Sequence, residues 1–463
     1  MNDLSHPVTG FRGTLRTVST GVKLIIVGVL ALLMTIPAIF VSNLIDERTQ
    51  RARDVVSEIS GHVGGQQTFL GPILAIPYTV PSNGPGDYVH NGIYLVFPAQ
   101  ASAFVKTTTE ERHRSLFKVP VFQADLQFHA EFDLTGVPAS APPAAQLDWS
   151  RAEFLVGVSD ARGALSDGSI TFNGKTDSLV PAVLSPDMTL GVDNNTRLRL
   201  TLFAAPAAGV ATPGAHFSLS SSLRFSGAQR IALLANGKTT QVTMQGDWRS
   251  PGFDGGFLPI TRTIAPAGFS AQWSVPYIAR GVRAEGSADS LAKLDATALG
   301  VSFIEVADPY QSVNRSLKFV LLFLGLIFLS YFVFEVTTGK RVHPAQYILV
   351  GVAQIIFYLL LLSIAERLGF DLAFLVAGSA TVILLSLNAQ WVFASRAEAL
   401  KAFVIFTLLY TLIYMLLRLE DNALLVGAIA SFIAVASAMY LTRRIDWYSS
   451  LPPQTASSTA HEA

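Results

Sequence analysis

The residues that could do chemistry in this chain are few, and their spacing argues against most reactions. Eight histidines are present, at 6, 62, 90, 113, 129, 216, 343 and 461, and there is no cysteine. None of the histidines stands in an HxxxH or HExxH pattern, so a local zinc site has no support. His129 falls on the wet face of an expected strand, and His343 precedes Pro344 where a helix begins, a capping or interface position. Asn173-Gly174-Lys175-Thr176 resembles the end of a phosphate loop, but Ser169 stands where that loop needs its first glycine. The same four residue types recur at Asn236 to Thr239 between strand-like runs, so both are read as turns. Ser159-Asp160 lacks the GxSxG strand-to-helix elbow of a serine hydrolase. Asp160 and Arg162 are expected to cap or pair within a turn, and with Trp248 they are the partner-facing or structural candidates. No catalytic, cofactor-binding or metal-binding residue is assigned.

Polar groups inside apolar runs are more informative, because hydrocarbon makes them costly. Glu335 closes an uncharged run from Phe319 to Phe334 and lies about a turn from Lys340 and Arg341, either of which could neutralise it. Gln354, Asn388 and Gln390 are uncharged, and interhelical hydrogen bonding is their default role. A transporter or channel subunit with a small-solute path lined by these three is one alternative, and an enzyme acting on an envelope polymer is a second.

The elements that position these residues are set by composition. Of 463 residues, half are apolar and 14% charged, against about a quarter charged in ordinary soluble domains. The formal net charge is zero, which removes a global argument for nucleic-acid binding. Arg12, Arg16 and Lys23 flank an uncharged run, Leu24 to Ile45, too long for a cleaved signal core and lacking a small-x-small end. An uncleaved signal anchor is expected, with Pro37 as a candidate kink. Further spans are expected at about 317–336, 346–365, 372–394, 401–417 and 423–442, each near the ~20 residues that cross a bilayer. Tyr347, Trp391, Trp447 and Tyr448 are expected to anchor helix ends at the interface.

Residues 46–315 differ in kind. Asp46 to His62 is charged and helix-compatible, an outward continuation of the first span. Beyond it, Leu126, Phe128, Ala130, Phe132 and Leu134 alternate with Gln127, His129, Glu131 and Asp133, the period of a strand with one dry face. Phe217, Leu219, Ser221, Leu223 and Phe225 repeat it. Asn173-Gly174 and Asn236-Gly237 read as hairpin turns, whose central residues need positive φ. The loop-like 181–196 leaves one or two β subdomains open.

Basic residues of short loops mark the cytoplasmic side. With the N-terminus inside, the inner set is Arg12, Arg16, Lys23, Lys340, Arg341, Arg396, Lys401, Arg443 and Arg444. The outer short loops hold only Arg367 and Arg418, each beside acids. The expected fold is therefore an α+β membrane protein: a six-helix transmembrane bundle with a large antiparallel, sandwich-like β domain inserted between the first and second spans. Residues 1–22 are cytoplasmic, 23–45 the first span, 46–315 the periplasmic β domain, 316–445 the other five spans, and 446–463 a disordered cytoplasmic tail.

Seven stretches carry a resemblance. They are Leu70-Gly71-Pro72-Ile73-Leu74-Ala75-Ile76-Pro77, Val158-Ser159-Asp160-Ala161-Arg162-Gly163, Gly246-Asp247-Trp248, Phe257-Leu258-Pro259, Tyr331-Phe332-Val333-Phe334-Glu335, His343 to Gly351 and Thr442 to Tyr448. Together they are specific, and over nearly its whole length the chain resembles the CreD family of bacterial inner-membrane proteins. The resemblance implies a cell-envelope-integrity factor with a stress-response role, associated with a two-component system, altered colicin tolerance and, in some bacteria, the response to β-lactams. It brings no catalytic residues and no cofactor. The partners expected are the lipid bilayer and an envelope protein or polymer, with no nucleic acid and no metal. Departures lie in the β-domain loops and the tail, where partner specificity would be carried.

Overall fold

The computed structural model describes residues 20–81, 90–114, 117–184, 189–191, 197–303, 309–340, 342–418 and 423–443. Two compact units emerge, one formed by residues 1–50 with 307–463 and the other by Arg51–Val306.

The first apolar run is helical as α1 (Thr20–Leu33) and α2 (Thr35–Val63). The interruption at Met34 follows from Pro37, which has no N–H to give to the carbonyl of Leu33, four residues back. Beyond Ile45 the helix continues through the charged segment to Val63, as the sequence indicates.

Strand periodicity in the β unit is resolved as two large sheets, with a separate two-stranded pair, Thr189–Gly191 with Arg197–Arg199. The strand Phe117–Asp133 buries alternate residues through its second half, with Leu126, Phe128, Ala130 and Phe132 inside and Gln127, His129, Glu131 and Asp133 outside. It pairs with Gln100–Arg114 on one side and His216–Ala228 on the other, at the centre of an eight-stranded sheet. Gln67–Val80 lies inside a ten-stranded sheet and is buried on both faces from Gln67 to Ile76, which is why it reads as a continuous apolar run. One core cluster joins the two sheets through Phe69, Val156, Val158 and Val301 from one and Phe122, Leu126, Val242 and Trp273 from the other. A second cluster, with Ile73, Leu95, Phe97, Leu155 and Leu294, covers the opposite face of the ten-stranded sheet.

Two expectations change here. The two large sheets are mostly antiparallel, but each has a parallel pair: Gln67–Val80 with Arg230–Leu234, and Gln100–Arg114 with Thr239–Gly246. Asn173-Gly174 is a tight hairpin turn with both φ values positive, 46° and 75°. Asn236-Gly237 is not a hairpin. It carries the chain from Arg230–Leu234 in the ten-stranded sheet to Thr239–Gly246 in the eight-stranded one, and Asn236 is buried with Nδ2 donating to the Pro72 carbonyl at 2.9 Å. The side chain is spent on satisfying a core carbonyl. Two short helices, α3 (Val137–Ser140) and α4 (Tyr277–Arg280), sit in connections.

The remaining helices are α5 (Pro309–Leu317), α6 (Val320–Thr338), α7 (Pro344–Leu368), α8 (Phe370–Phe393), α9 (Arg396–Arg418) and α10 (Ala423–Thr442). Among the described residues, five helices are long and apolar enough to cross a membrane: residues 21–63 taken together, α6, α7, α8 and α9. In α10 the apolar described stretch is Leu425–Ser437, short of the ~20 residues a crossing needs. Gly339, at φ 65°, stops α6, and His343 and Pro344 start α7, with His343 Nδ1 accepting from the Ala345 N–H at 3.2 Å.

Candidate functional site

The strongest site in the helical unit is built around Glu335. It lies in the last turns of α6 and is 6% exposed. One carboxylate oxygen accepts from the Val342 N–H at 2.9 Å and from Lys23 Nζ, and the other accepts from the Tyr347 hydroxyl at 3.0 Å. Among the described residues the counter-charge comes from α1, not from Lys340. Lys340 turns away and donates to the Phe393 carbonyl at the end of α8, while Arg341 lies outside the described residues. Hydrogen-bonding partners a few residues along the chain were the natural guess; the fold supplies one from three hundred residues away. Tyr347, expected as an interfacial anchor, is instead buried against Phe328 and Tyr331 with its hydroxyl committed to Glu335. Trp391, by contrast, is largely exposed, as an interfacial residue would be.

Gln354 and Asn388 have different hydrogen-bonding neighbours. Asn388 Oδ1 accepts from the Tyr331 hydroxyl at 3.1 Å, and its Nδ2 donates to Gln346 at 3.2 Å. Gln354, fully buried on α7, accepts from the Tyr410 hydroxyl at 2.8 Å among Phe323, Phe357 and Phe374. Gln390 is half-buried and, two residues beyond Asn388, points about 200° around α8 from it. Trp447 and Tyr448 lie outside the described residues.

A second carboxylate cluster was not anticipated. Glu366, near the other end of α7, accepts from the Tyr310 hydroxyl of α5 at 3.0 Å and stands 4.0 Å from Arg48 of α2. Its available signal was the coincidence of Arg48 just after the first apolar run and Glu366 at the close of the third. Among the described residues no three His, Asp or Glu side chains are grouped to hold a metal ion.

A family model described as Inner membrane protein CreD matches residues 19–448. The chain belongs to the CreD family. It is 29% identical, over 433 residues, to the Inner membrane protein CreD of Escherichia coli (strain K12), covering 92% of this chain and 93% of that one.

The stretches that carry the CreD resemblance have identifiable structural work. Tyr331 to Glu335 and His343 to Gly351 supply the carboxylate, the phenol and the helix cap of the Glu335 cluster, and Val342, between the two stretches, supplies its backbone N–H. Asp160 caps the turn Ala161–Gly163 by accepting from the Arg162 N–H at 3.0 Å, and its carboxylate takes three further bonds from the Arg162 guanidinium, at 3.0, 3.1 and 2.6 Å. That guanidinium holds the Asp160 carboxyl below the usual carboxylate range. Behind the turn, fully buried Gln67 donates to the carbonyls of Gly64 and Asp160, each at 3.0 Å, and accepts from Ser159 Oγ at 3.1 Å. Asp160 and Arg162 thus lock a joint at the start of the first strand. Trp248 is half-buried on the inter-sheet core, edge-on to Phe303 at 6.1 Å. Both CreD stretches have structural roles, and of these side chains only Arg162 projects well into solvent.

Proposed function

We propose that this chain is a multipass inner-membrane protein that supports cell-envelope integrity through contacts of its β unit with an envelope protein or polymer, without catalysing a reaction. In this reading both termini are cytoplasmic, six helices cross the membrane, and the β unit is periplasmic. The observation that carries it is the sequence position of a large two-sheet unit, Arg51–Val306, between helices of a CreD-family membrane protein. The basic residues of the short loops, Lys23, Lys340, Arg396 and Arg443 against Arg367 and Arg418 with their neighbouring acids, support the orientation.

A contact surface is best sought at one sheet edge. Thr261–Ala265 is the last strand of the eight-stranded sheet and is exposed throughout. Leu258, Ile260 and Ile264 project from it and the preceding loop at 65%, 69% and 50% exposure. An edge that pairs with no further strand among the described residues, flanked by apolar side chains, suits an extended segment of a partner protein, added as a further strand.

The natural absence of cysteine makes the orientation simple to test. Thr212→Cys, on an exposed loop of the β unit, should react with a membrane-impermeant maleimide in spheroplasts, whereas Arg396→Cys should react only after permeabilisation. Protection of the thiol in the Thr212→Cys variant would overturn the orientation. A photo-crosslinker at Ile260 that captured no envelope component in living cells would remove the contact role while leaving the orientation standing.

A further inference from the structure

Helices α8 and α9 leave an apolar groove between them of about 620 Å³. Its floor is Phe374, Gly378 and Tyr410, and its walls include Leu375, Val382 and Phe403. Gly378 keeps the floor low, since a Cβ there would already touch the Tyr410 ring at 3.4 Å. Leu375 and Phe403 are substantially exposed, so the groove opens away from the bundle, toward lipid in a membrane. It runs along α8 from Asp371 to Ile383, about 18 Å at 1.5 Å per residue, slightly more than half of a ~30 Å hydrocarbon core. That length suits a chain from one leaflet.

Only one end is charged. Asp371 lines the groove there and pairs with Arg418, while the Tyr414 hydroxyl donates to Asp371 at 3.1 Å and the guanidinium lies 5.8 Å over the Tyr414 ring. Both charged side chains are more than half exposed, so each has unused hydrogen-bonding capacity. A lone anionic headgroup would meet the carboxylate as well as the guanidinium. A choline headgroup would bring a cation that cannot donate a hydrogen bond. A primary ammonium next to a phosphate satisfies both side chains.

We propose that this groove binds one phosphatidylethanolamine, with an acyl chain along α8 and α9, the phosphate on Arg418 and the ammonium on Asp371. The site needs the helices to lie in a bilayer, which family membership supplies, and it does not depend on the envelope role proposed above.

The test is lipid retention by the full-length protein. The protein is reconstituted in vesicles of equimolar phosphatidylethanolamine, phosphatidylglycerol and phosphatidylcholine, extracted into mild detergent, and its bound lipid is measured by native mass spectrometry. One phosphatidylethanolamine per chain should be retained, about tenfold enriched over either competitor, the scale of one charge-assisted hydrogen bond. Asp371→Asn should shift the preference to phosphatidylglycerol by removing the carboxylate that opposes it. Arg418→Gln should lower retention of both phosphate headgroups about tenfold. Thr407→Trp and Ser379→Trp, at exposed groove positions, should each abolish retention whatever the headgroup. Equal retention of the three lipids, or retention that survives both tryptophans, means annular lipid only and overturns the proposal. The outward-facing tryptophans keep the test decisive should the charge variants fail to fold.

Discussion

Glu335 offers the sharpest perturbation. Replacing it by leucine removes a carboxylate with 8% of its side chain exposed and strands the Lys23 ammonium, the Val342 N–H and the Tyr347 hydroxyl. Breaking a buried ion pair from one side costs ~3–5 kcal/mol, and replacing both partners by apolar groups is often close to neutral. Lys23 is 20% exposed and can reach toward the headgroups, which places Glu335→Leu at the lower end, about 3 kcal/mol. Lys23→Met leaves the carboxylate two donors and should cost about as much. The double variant should then cost well under the sum, with a coupling energy of about 1–3 kcal/mol. Lys340→Met is the control, since its ammonium is committed to the Phe393 carbonyl, and it should show no coupling to Glu335→Leu. Reversible denaturation of the full chain in mixed detergent micelles measures all six proteins, the wild type, the three single variants and the two doubles with Glu335→Leu. Additivity of Lys23→Met and Glu335→Leu within about 0.5 kcal/mol would refute the ion pair, and coupling to Lys340→Met instead would restore the partner suggested by sequence proximity.

Two further predictions concern the β unit. Arg280 is 3% exposed; its Nε donates to the Ala235 carbonyl at 3.1 Å and its guanidinium lies 4.2 Å over Phe97, yet among the described residues Nη1 and Nη2 have no hydrogen-bond partner. Burial pulls its pKa down to about 10, below its unfolded value, so its cation opposes folding at neutral pH and that cost is relieved as pH rises above about 10. Arg280→Met should leave thermal stability unchanged or raise it by up to ~1–4 kcal/mol, and a loss above about 2 kcal/mol would mean that the guanidinium holds an anion. At the Asp160 turn, Gln67→Leu should cost about 3 kcal/mol by stranding buried carbonyls, whereas Arg162→Ala should cost only ~0–1 kcal/mol at pH 7. Because the folded Asp160 carboxyl titrates below its unfolded value, its pairing with Arg162 contributes fully above pH ~4 and is lost as pH falls through the lower, folded value. The gap between wild type and Arg162→Ala in thermal melts should therefore close in acid, and a gap that persisted there would remove the carboxylate from the account.

Patterns repeated at the period of an element were legible in the sequence, and long-range partners were not. The alternation through Leu126 to Leu134 identified a strand with one wet face because only that geometry puts every second residue in a core. Uncharged runs identified long helices because hydrocarbon forbids charge along their length. The parallel pairing of Gln67–Val80 with Arg230–Leu234 was hidden because it depends on which distant strands meet. Asn236-Gly237 misled for a related reason: the dipeptide permits a tight hairpin, but the buried carbonyl of Pro72 claimed the asparagine first. At the end of α6, Glu335 was recognisable as an expensive residue, while its partner was not, since Lys23 read equally well as an ordinary flanking cation.

That double reading of Lys23 has a physical consequence for how the helices sit in a bilayer. Tyr347 and Glu366 bond at the two ends of α7, about 28 Å apart along its axis, and the hydrocarbon core is ~30 Å thick. On α9, Lys401 and Arg418 are separated by about 25 Å. The two bonded carboxylates, Glu335 beside Tyr347 and Glu366, and the cations Lys401 and Arg418 of α9 therefore fall at two levels with hydrocarbon-compatible spacing, and between those levels α7 offers only uncharged polar groups such as Gln354 and Tyr358. The Glu335 and Glu366 clusters would lie where water and headgroups begin, so neither carboxylate has to carry an ion across the apolar slab to be explained. Each ties helices from the start of the chain to those after the β unit, Lys23 of α1 to Glu335 of α6 and Arg48 of α2 to Glu366 of α7. Partner choice by one buried and one partly buried acid, one per membrane surface, would fix the register of the first span against the rest more tightly than interchangeable apolar contacts could.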